Sequence, residues 1–563
     1  MAEKPLRLPV KLIRRNNQFV LLGQGDETER VGKEAGLTYS TTGSMQERQH
    51  VFFTPEPHAV LHLWDAADEA SRSILAPLRA EWERSNLNAA PPGFDVPVPE
   101  FCQMMPFQVA GVHYAKDREN TLIGDAPGLG KTIQAIALAN LRGCRRVLVV
   151  CPANVRLQWA KQIKIWSTLP KPIVYPVLKA SDGVHPTANY VVTSFEVARG
   201  TLWQALRSYN WDLLIIDEAH YLKTPDANRT RALFGASSRS GSAYAGTRGI
   251  SERAEQILAL TGTPLPNRPR ECYTLANALD ASCIDWMNFD QFKERFNPGG
   301  RDPVSGASWE YTGRLPELNA RLRCNIMVRR LKEDVLKDLP PKRYELVPVE
   351  TTLKIQMALK AERMLHFDEQ EMLARSGGKI DGAISTVRRE MGEALAPAAL
   401  DHVRMLLDGG VEKLVVFAHH HSVLDFLNKG LASFGVLRVD GSTSVTGKGR
   451  AVEQFVHNPR MRVFLGQSQA VGTGTDGLQD IATHAFFAEA DWVFGNIEQC
   501  VDRLHRMGQR GSVLAQILTA PGSIAERIIG RAIAKGRTTA KVLDGQPLGV
   551  GQSSSSIQHD EEF

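Results

Sequence analysis

The sequence predicts an α/β protein: two lobes, each built on a parallel sheet, with helical insertions and a small N-terminal α+β domain. Three observations carry that expectation. The chain has 563 residues, more than one hydrophobic core holds. Short apolar runs recur in two series, one starting near residue 100 and one near residue 411. Helical stretches separate the runs within each series. Four or five consecutive apolar residues without alternation suit strands covered on both faces, and strands alternating with helices argue a parallel sheet.

Residues 1–95 read as a separate accessory domain. "VKLIRRNNQFVLLG" gives two strands around a turn at Asn16 and Asn17, "HVFFTP" a third strand, and "PHAVLHLWDAADEASRSILAPLRAEWERS" a helical stretch. Pro91, Pro92, Pro97 and Pro99 then mark a linker. Lobe 1, with a helical extension, is expected over 100–345. Its strands are "TLIGDAPG", "RRVLVVCPAN", "NYVVTSF", "WDLLIIDEAH" and "ILALTGTP". Lobe 2 is expected over 350–545, with strands in "EKLVVFAHH", "GVLRVDGS", "RVFLGQSQ", "THAFFAEADW" and "VLAQILTAP". Between the two series, roughly 268–400, the pattern is mostly helical, with a loop at "NPGGRDPVSGAS". "GASSRSGSAYAGTRG" (235–249) reads as mobile, and the polar tail 546–563 as disordered.

Composition is that of an ordinary globular chain, 43% hydrophobic and 23% charged. The 67 basic and 62 acidic residues leave a net charge of +5. Charge placement says more. Eight Lys/Arg and one acid lie between Arg503 and Lys541, and "RRLKEDVLKDLPPKR" (329–343) holds six bases and three acids. Basic segments on a balanced chain fit a polyanion partner, although basic faces in plain solvent fit as well. The seven cysteines form no C-x-x-C pair, which excludes a zinc ribbon or disulfide scaffold and fits a reducing, intracellular compartment. There is no secretory h-region and no 18-residue apolar run, so neither export nor a membrane span is expected.

"GDAPGLGKT" (124–132) follows a strand and opens the helix "KTIQAIALAN". Gly128 and Gly130 let backbone N–H groups approach phosphate oxygens. Lys131 can reach the β- and γ-phosphates of ATP, and Thr132 can ligate Mg2+. Asp125 stands where the loop consensus has its first glycine. Asp217 and Glu218 end the strand of "LLIIDEAH", where parallel-sheet ligands gather. One carboxylate can hold Mg2+ and its neighbour can activate a water. Gln108 in "PFQVAGVHYA" offers an amide with donor and acceptor for an adenine edge, or is a plain surface glutamine.

In "QCVDRLHRMGQR" (499–510), Gln499, Arg503 and Arg506 would share one face of a helix ended by Gly508. Either the face is merely basic and solvated, or the arginines point at a phosphate held elsewhere.

The runs "FQVAGV", "DAPGLGKT", "VLVVCPANVRLQW", "DEAHYLKTPDANRTRA", "LTGTPLPNRPRECYTL", "VRRLKEDVLKDLPPK", "KLVVFAHHHSVLDFL", "VDGSTS", "VGTGTDGLQ", "FAEADW" and "QCVDRLHRMGQR" stand in one order across about 100–535. With these the chain resembles the Swi/Snf-like superfamily 2 DNA translocases, and its HepA-related, annealing-helicase branch in particular. The resemblance implies two RecA-like lobes that hydrolyse ATP with Mg2+ and move along duplex or forked DNA with weak sequence preference. Fork remodelling or strand annealing, in replication or repair, is the implied task. By residue, it implies an adenine-reading role for Gln108 and a nucleotide-binding loop of Asp125, Ala126, Pro127, Gly128, Leu129, Gly130, Lys131 and Thr132. Asp217 and Thr132 would serve Mg2+, and Glu218 catalysis. Thr261, Gly262 and Thr263 would couple the nucleotide to lobe position. Gly474 would face the nucleotide cleft, and Arg503 and Arg506 would complete the site from lobe 2. Ala126 and Pro127 depart from the Glu and Met that the family often has there, and "DGLQD" departs from its Leu-Thr-Ala run. No HNH-type nuclease segment follows lobe 2, so a nuclease-fused form is not expected.

A monomer is expected, in the cytoplasm or nucleoid (the host cytoplasm if viral), with residues 1–95 available to a protein partner. The alternatives are a superfamily 2 RNA helicase and a non-motor recruitment module with a vestigial ATPase. The triple His419, His420 and His421 ends a strand, so the three cannot readily converge on one metal. Trp492 is either a packing aromatic or a base-stacking one. The stretch 523–543 reads as a helix packed on lobe 2, compatible with a brace across both lobes.

Overall fold

The computed structural model describes residues 10–47, 49–235, 248–262, 268–301, 308–310, 313–364, 382–471, 477–492 and 494–530. Contacts divide these residues into two units. The smaller holds residues up to Leu75 together with Arg314–Ala320, and the larger holds Ala76–Gly313 and Arg321 onward.

In the smaller unit, β1 (Val10–Arg15), β2 (Gln18–Gly23), β3 (Thr38–Tyr39) and β4 (His50–Thr54) form an antiparallel sheet in the order β1-β2-β4-β3. Asn16 and Asn17, both at positive φ (47° and 61°), make the two-residue turn between β1 and β2. Asparagine tolerates that region, and the turn's twist matches the strands it joins. The helix Gly25–Glu34 lies close on the sheet: a Cβ on Gly32 would stand 2.6 Å from the Phe52 ring. Leu12, Phe19, Leu21 and Phe52 are fully buried.

In the larger unit the first sheet holds β5 (Asn120–Ile123), β6 (Val147–Cys151), β7 (Val174–Pro176), β8 (Tyr190–Ser194), β9 (Leu213–Asp217), β10 (Ile257–Leu260) and β13 (Met327–Val328). All pair in parallel, in the order β13-β5-β10-β9-β6-β8-β7. Every residue of β6 is at 0% exposure, as a strand covered on both faces requires. The short edge strands β7 and β13 escape the sequence pattern because neither reaches four apolar residues. β11 (Gly299–Arg301) and β12 (Ser308–Glu310) pair antiparallel where the sequence reads as a loop.

The second sheet has β14 (Lys342–Pro348), β15 (Leu414–Ala418), β16 (Val436–Val439), β17 (Val463–Gln467), β18 (His484–Phe487) and β19 (Val513–Thr519). They too are parallel, in the order β14-β19-β18-β15-β17-β16. β14 corrects the expectation that 268–400 is helices and loop. As an edge strand it is only half-buried, so "KRYELVP" carries charges where a central strand carries valines. Separate apolar cores cover its sheet's two faces, one centred on Val416, Leu465 and Phe486, the other on Val415, Phe464 and Phe487.

One segment thus borders both sheets. Met327–Val328 pairs with β5, and Lys342–Pro348 pairs with β19. The 236–247 part of the stretch read as mobile, the tail, and the end of the 523–543 stretch beyond Gly530 lie outside the described residues.

Candidate nucleotide site

Ile123, Leu260 and Asp217 stand level across β5, β10 and β9. At about 4.8 Å between strands, the loop after β5 and the carboxylates after β9 leave the sheet roughly 10 Å apart. The loop after β10 emerges between them.

The loop after β5 turns at Gly128 and Gly130, whose φ values of 86° and 76° lie in the left-handed region that favours glycine. Gly130 is the N-cap of helix Lys131–Leu141 and lends it no side-chain cap. The first-turn N–H groups therefore point outward at the positive end of the helix dipole. Lys131 Nζ donates to the carbonyls of Asp125 (2.8 Å) and Ala126 (3.3 Å). Burial lowers its pKa against the pull of Glu218, Asp125 and Asp217.

Asp125, where the loop consensus has a glycine, turns its side chain into the core. Its carboxylate does not face the phosphate side but is fully buried. It accepts from Arg330 Nε (3.0 Å) and Nη2 (2.9 Å), from the Arg330 backbone N–H (3.0 Å) and from Gln134 Nε2 (2.9 Å). The Ala126 N–H in turn donates to the Arg330 carbonyl. A glycine at 125 would leave Arg330 without its counter-ion. Leu129 is likewise a core side chain at 0% exposure. Gln108 is 1% exposed, its Oε1 accepting from Met105 N–H (2.9 Å) and its Nε2 donating to the Leu129 carbonyl (3.2 Å). In this structure its amide braces the loop from behind.

Asp217 closes β9. Its Oδ1 accepts the Glu218 N–H (3.0 Å) and its Oδ2 the indole N–H of Trp159 (2.7 Å). Burial, then the neighbouring Glu218 charge, raise its pKa to about 6 against that indole bond. Glu218 sits at φ 50°, ψ 50°, an uncommon backbone region for a glutamate and the kind of strain that gathers at functional sites. Burial pushes its carboxyl up, but His220, Lys131 and Arg503 outweigh burial and hold it down at about 2. The His220 Nδ1 lies 3.2 Å from Glu218 Oε2 and 3.1 Å from the Thr261 hydroxyl. Gly262 packs against the phosphate loop itself, since a Cβ there would stand 2.7 Å from Pro127 Cγ. Thr261 and Gly262 therefore touch the carboxylate and phosphate-loop elements respectively. Thr263 and Gly474 lie outside the described residues. Thr132, half-buried in the first helical turn, and Asp217 offer only hard oxygen donors, which suits Mg2+.

Arg503 and Arg506 do not share a helical face. The helix Phe494–Val501 stops, and turns follow, with N–H bonds from Arg503 to Cys500 and from Leu504 and His505 to Val501. Buried charge lies at this turn. Asp502 lies between Lys332 Nζ (2.9 Å) and Lys342 Nζ (3.0 Å), and the His505 carbonyl accepts from Lys332. The turn nevertheless reaches the phosphate loop. A Cβ on Gly128 would meet Arg506 Cγ at 3.2 Å, and the charge of Arg503 acts on Glu218.

Trp159, His220, Arg329, Arg330 and Lys332 carry no role in the sequence reading. Their runs are visible there ("LQW", "DEAH", "VRRLKED"), but nothing local says which distant group each one meets. Arg329 Nη1, for instance, donates to the carbonyls of Gly124 (2.8 Å) and Gly262 (3.4 Å).

The other candidates fall outside this site. The His419 N–H, the His420 N–H and the His420 ring all engage the Glu489 carboxylate, whereas His421 faces Arg438 and Asp440. No group of three metal-type ligands exists among the described residues. Trp492 packs with Ile524 and Ile528 under Arg388, so its ring is a core contact. No helix among the described residues is long and apolar enough to cross a membrane.

Two parallel sheets, one carrying a glycine phosphate loop and the other an arginine turn set against it, define a two-lobed nucleotide-binding class. Residues 103–386 match the sequence model of the SNF2-related domain, and the chain belongs to that family. It is 31% identical over 461 residues to the DNA annealing helicase and endonuclease ZRANB3 of Bos taurus, across 79% of this chain and 41% of that protein. It is 32% identical over 432 residues to the SWI/SNF-related matrix-associated actin-dependent regulator of chromatin subfamily A-like protein 1 of Xenopus tropicalis, across 75% of this chain and 43% of that protein. The chain thus spans less than half the length of either relative. Among solved structures, the Sulfolobus solfataricus SWI2/SNF2 ATPase core in complex with dsDNA matches at 18% identity and a TM-score of 0.37, covering 80% of this chain and 96% of that one. That score is too low for lobe placement to be compared.

Proposed function

We propose that the chain is an ATP-dependent DNA translocase acting on duplex or forked DNA, with fork remodelling or strand annealing as its task. The observation that carries the reading is the Arg506 side chain of lobe 2 lying on Gly128 of the lobe 1 phosphate loop. A γ-phosphate held by the first-turn N–H groups of helix Lys131–Leu141 would then meet cations from both lobes. The names of the relatives, a DNA annealing helicase among them, support DNA as the polymer.

In this reading Lys131 leaves the loop carbonyls for the β- and γ-phosphates. Thr132 and Asp217 would hold Mg2+, which when bound supplies charge neutralisation of the phosphates. Glu218, ionised at neutral pH, orients and deprotonates the attacking water. Arg503 and Arg506 stabilise the charge that develops on the transferred phosphoryl group. Thr261 and Gly262, together with Thr263 and Gly474, would carry the change between lobes. Gln108 would serve adenine only after releasing the Leu129 carbonyl. DNA would be held mainly through its backbone, so binding should be strongly salt-dependent. The division into an accessory domain over 1–95 and lobes over 100–345 and 350–545 belongs to this proposal, as do a monomeric state, action at the cellular nucleic acid, and a protein partner for 1–95.

The test is ATP turnover measured against duplex, forked and single-stranded DNA and RNA. Stimulation by duplex or forked DNA well above that by RNA is expected. Equal or greater stimulation by RNA would overturn the assignment.

A further inference from the structure

The segment between the two edge strands grips both halves of the proposed site. Arg330 holds Asp125 at the start of the phosphate loop. Two residues on, Lys332 is 9% exposed and reaches the other lobe, where its ammonium donates to Asp502 Oδ1 (2.9 Å) and the His505 carbonyl, with the His505 ring at 3.5 Å. These contacts bracket Arg503 and follow directly into Arg506, whose Nε donates to the Asp502 carbonyl (2.9 Å). Lys332 Cε also lies 3.6 Å from where a Gly128 Cβ would stand. One side chain therefore touches the arginine turn and lies against the phosphate loop.

We propose that Lys332 is a positioning residue: by holding Asp502 and the His505 carbonyl, it fixes the turn that sets Arg503 and Arg506 against the nucleotide phosphates. The inference rests on the cross-lobe role proposed above for those arginines. A turn is needed because a continued helix would direct the His505 carbonyl along its own axis and not toward lobe 1. An ammonium suits the task, since three rotatable donors can serve a carboxylate and a carbonyl together.

The groups facing Lys332 are Asp502, His505 and Arg506 on the turn, Lys342 on β14, and Glu498 on the preceding helix. One carboxylate, Asp502, serves two lysines. Burial first, then the charges of Lys342 and Arg506, bring Lys332 down to about 8 despite Asp502. Its charge, and with it the grip on the turn, is lost as pH rises through that value.

The experiment compares DNA-stimulated ATP turnover in the full chain for wild type, Lys332→Gln, Lys332→Arg, Arg506→Ala and the Lys332→Gln/Arg506→Ala pair. Lys332→Gln is expected to lower kcat about 10- to 100-fold with the KM for ATP within about three-fold. The paired change should cost little beyond Arg506→Ala alone, because residues acting through one group are not additive. Wild-type kcat should fall above about pH 8, and Lys332→Arg should restore turnover and remove that fall, since arginine keeps its proton. Near-normal kcat in Lys332→Gln, or losses that multiply in the pair, would overturn the inference while leaving the arginine role intact. Near-normal kcat in Arg506→Ala would instead sink the arginine role itself. Should Lys332→Gln not fold, the wild-type and Lys332→Arg pH profiles decide: identical profiles reject the inference.

Discussion

The indole N–H of Trp159 donates to the Asp217 carboxylate at 2.7 Å, which ties helix Arg156–Trp166 to the end of β9. Trp159 is 2% exposed, and Asp217 is half-buried. Trp159→Phe keeps the bulk and deletes the donor. A half-buried carboxylate left short of one partner should cost about 1 kcal/mol, the low end for an unmade buried bond. Urea unfolding of the two proteins measures it, and equal midpoints would show that the bond adds nothing.

Restoring the phosphate-loop consensus should do harm. Asp125→Gly supplies the expected glycine but strands the buried Arg330 guanidinium. Removing one partner of a buried ion pair costs about 3–5 kcal/mol. Asp125→Leu with Arg330→Met should recover much of that loss, because no uncompensated charge remains. Thermal unfolding of the single and double variants is the measurement. A glycine variant as stable as wild type would remove the structural account of Asp125.

Lys131 and Glu218 should fail in different ways. Lys131→Ala removes the cation from the loop and should abolish nucleotide binding together with turnover. Glu218→Gln keeps shape and hydrogen bonding but loses the base, so ATP should bind while turnover drops by about 10²–10⁴-fold. Equilibrium binding of a fluorescent ATP analogue separates the two; tight binding by Lys131→Ala would contradict its placement.

Acid should loosen the arginine turn. Burial would raise Asp502, but Lys342 and Lys332 hold it below the usual carboxylate range. The unfolded chain therefore takes up this proton first as pH falls, so the stability it contributes is present above about pH 4 and lost below. Asp502→Asn should be less stable at neutral pH and less sensitive to acid. Melting temperatures across about pH 3–6 give the comparison, and parallel curves would deny Asp502 its part.

The central strands were legible as short apolar runs between polar stretches, clearest at Val147–Cys151 and Leu414–Ala418. Strands β7 and β13 were not, because each is too short to form such a run, and β14 was not, because its half-buried sequence carries charges. Lys131, Asp217 and Glu218 were proposed from local spacing alone, Lys131 where a glycine loop opens a helix and the two carboxylates where β9 ends. The role of the Asp125 side chain was not legible, because its partner, Arg330, is 205 positions away. The arginine spacing suggested a helix, whereas the structure has a turn after Val501 whose Asp502 is bonded to lysines from a distant segment.

Met327–Val328 and Lys342–Pro348 are stitched into different sheets, so thirteen residues span the interval from 329 to 341. Drawn out fully, such a stretch covers about 3.3–3.6 Å per residue, or roughly 43–47 Å. That length is a leash. Whatever motion the lobes of the proposed motor make, these two strand ends can part no farther without tearing an edge from one sheet. Four of the leash's own side chains, Arg329, Arg330, Lys332 and Lys337, are already engaged with carbonyls or carboxylates, so slack is released only as those grips open one by one. Opening distance is thereby rationed by chemistry before it is limited by covalent reach.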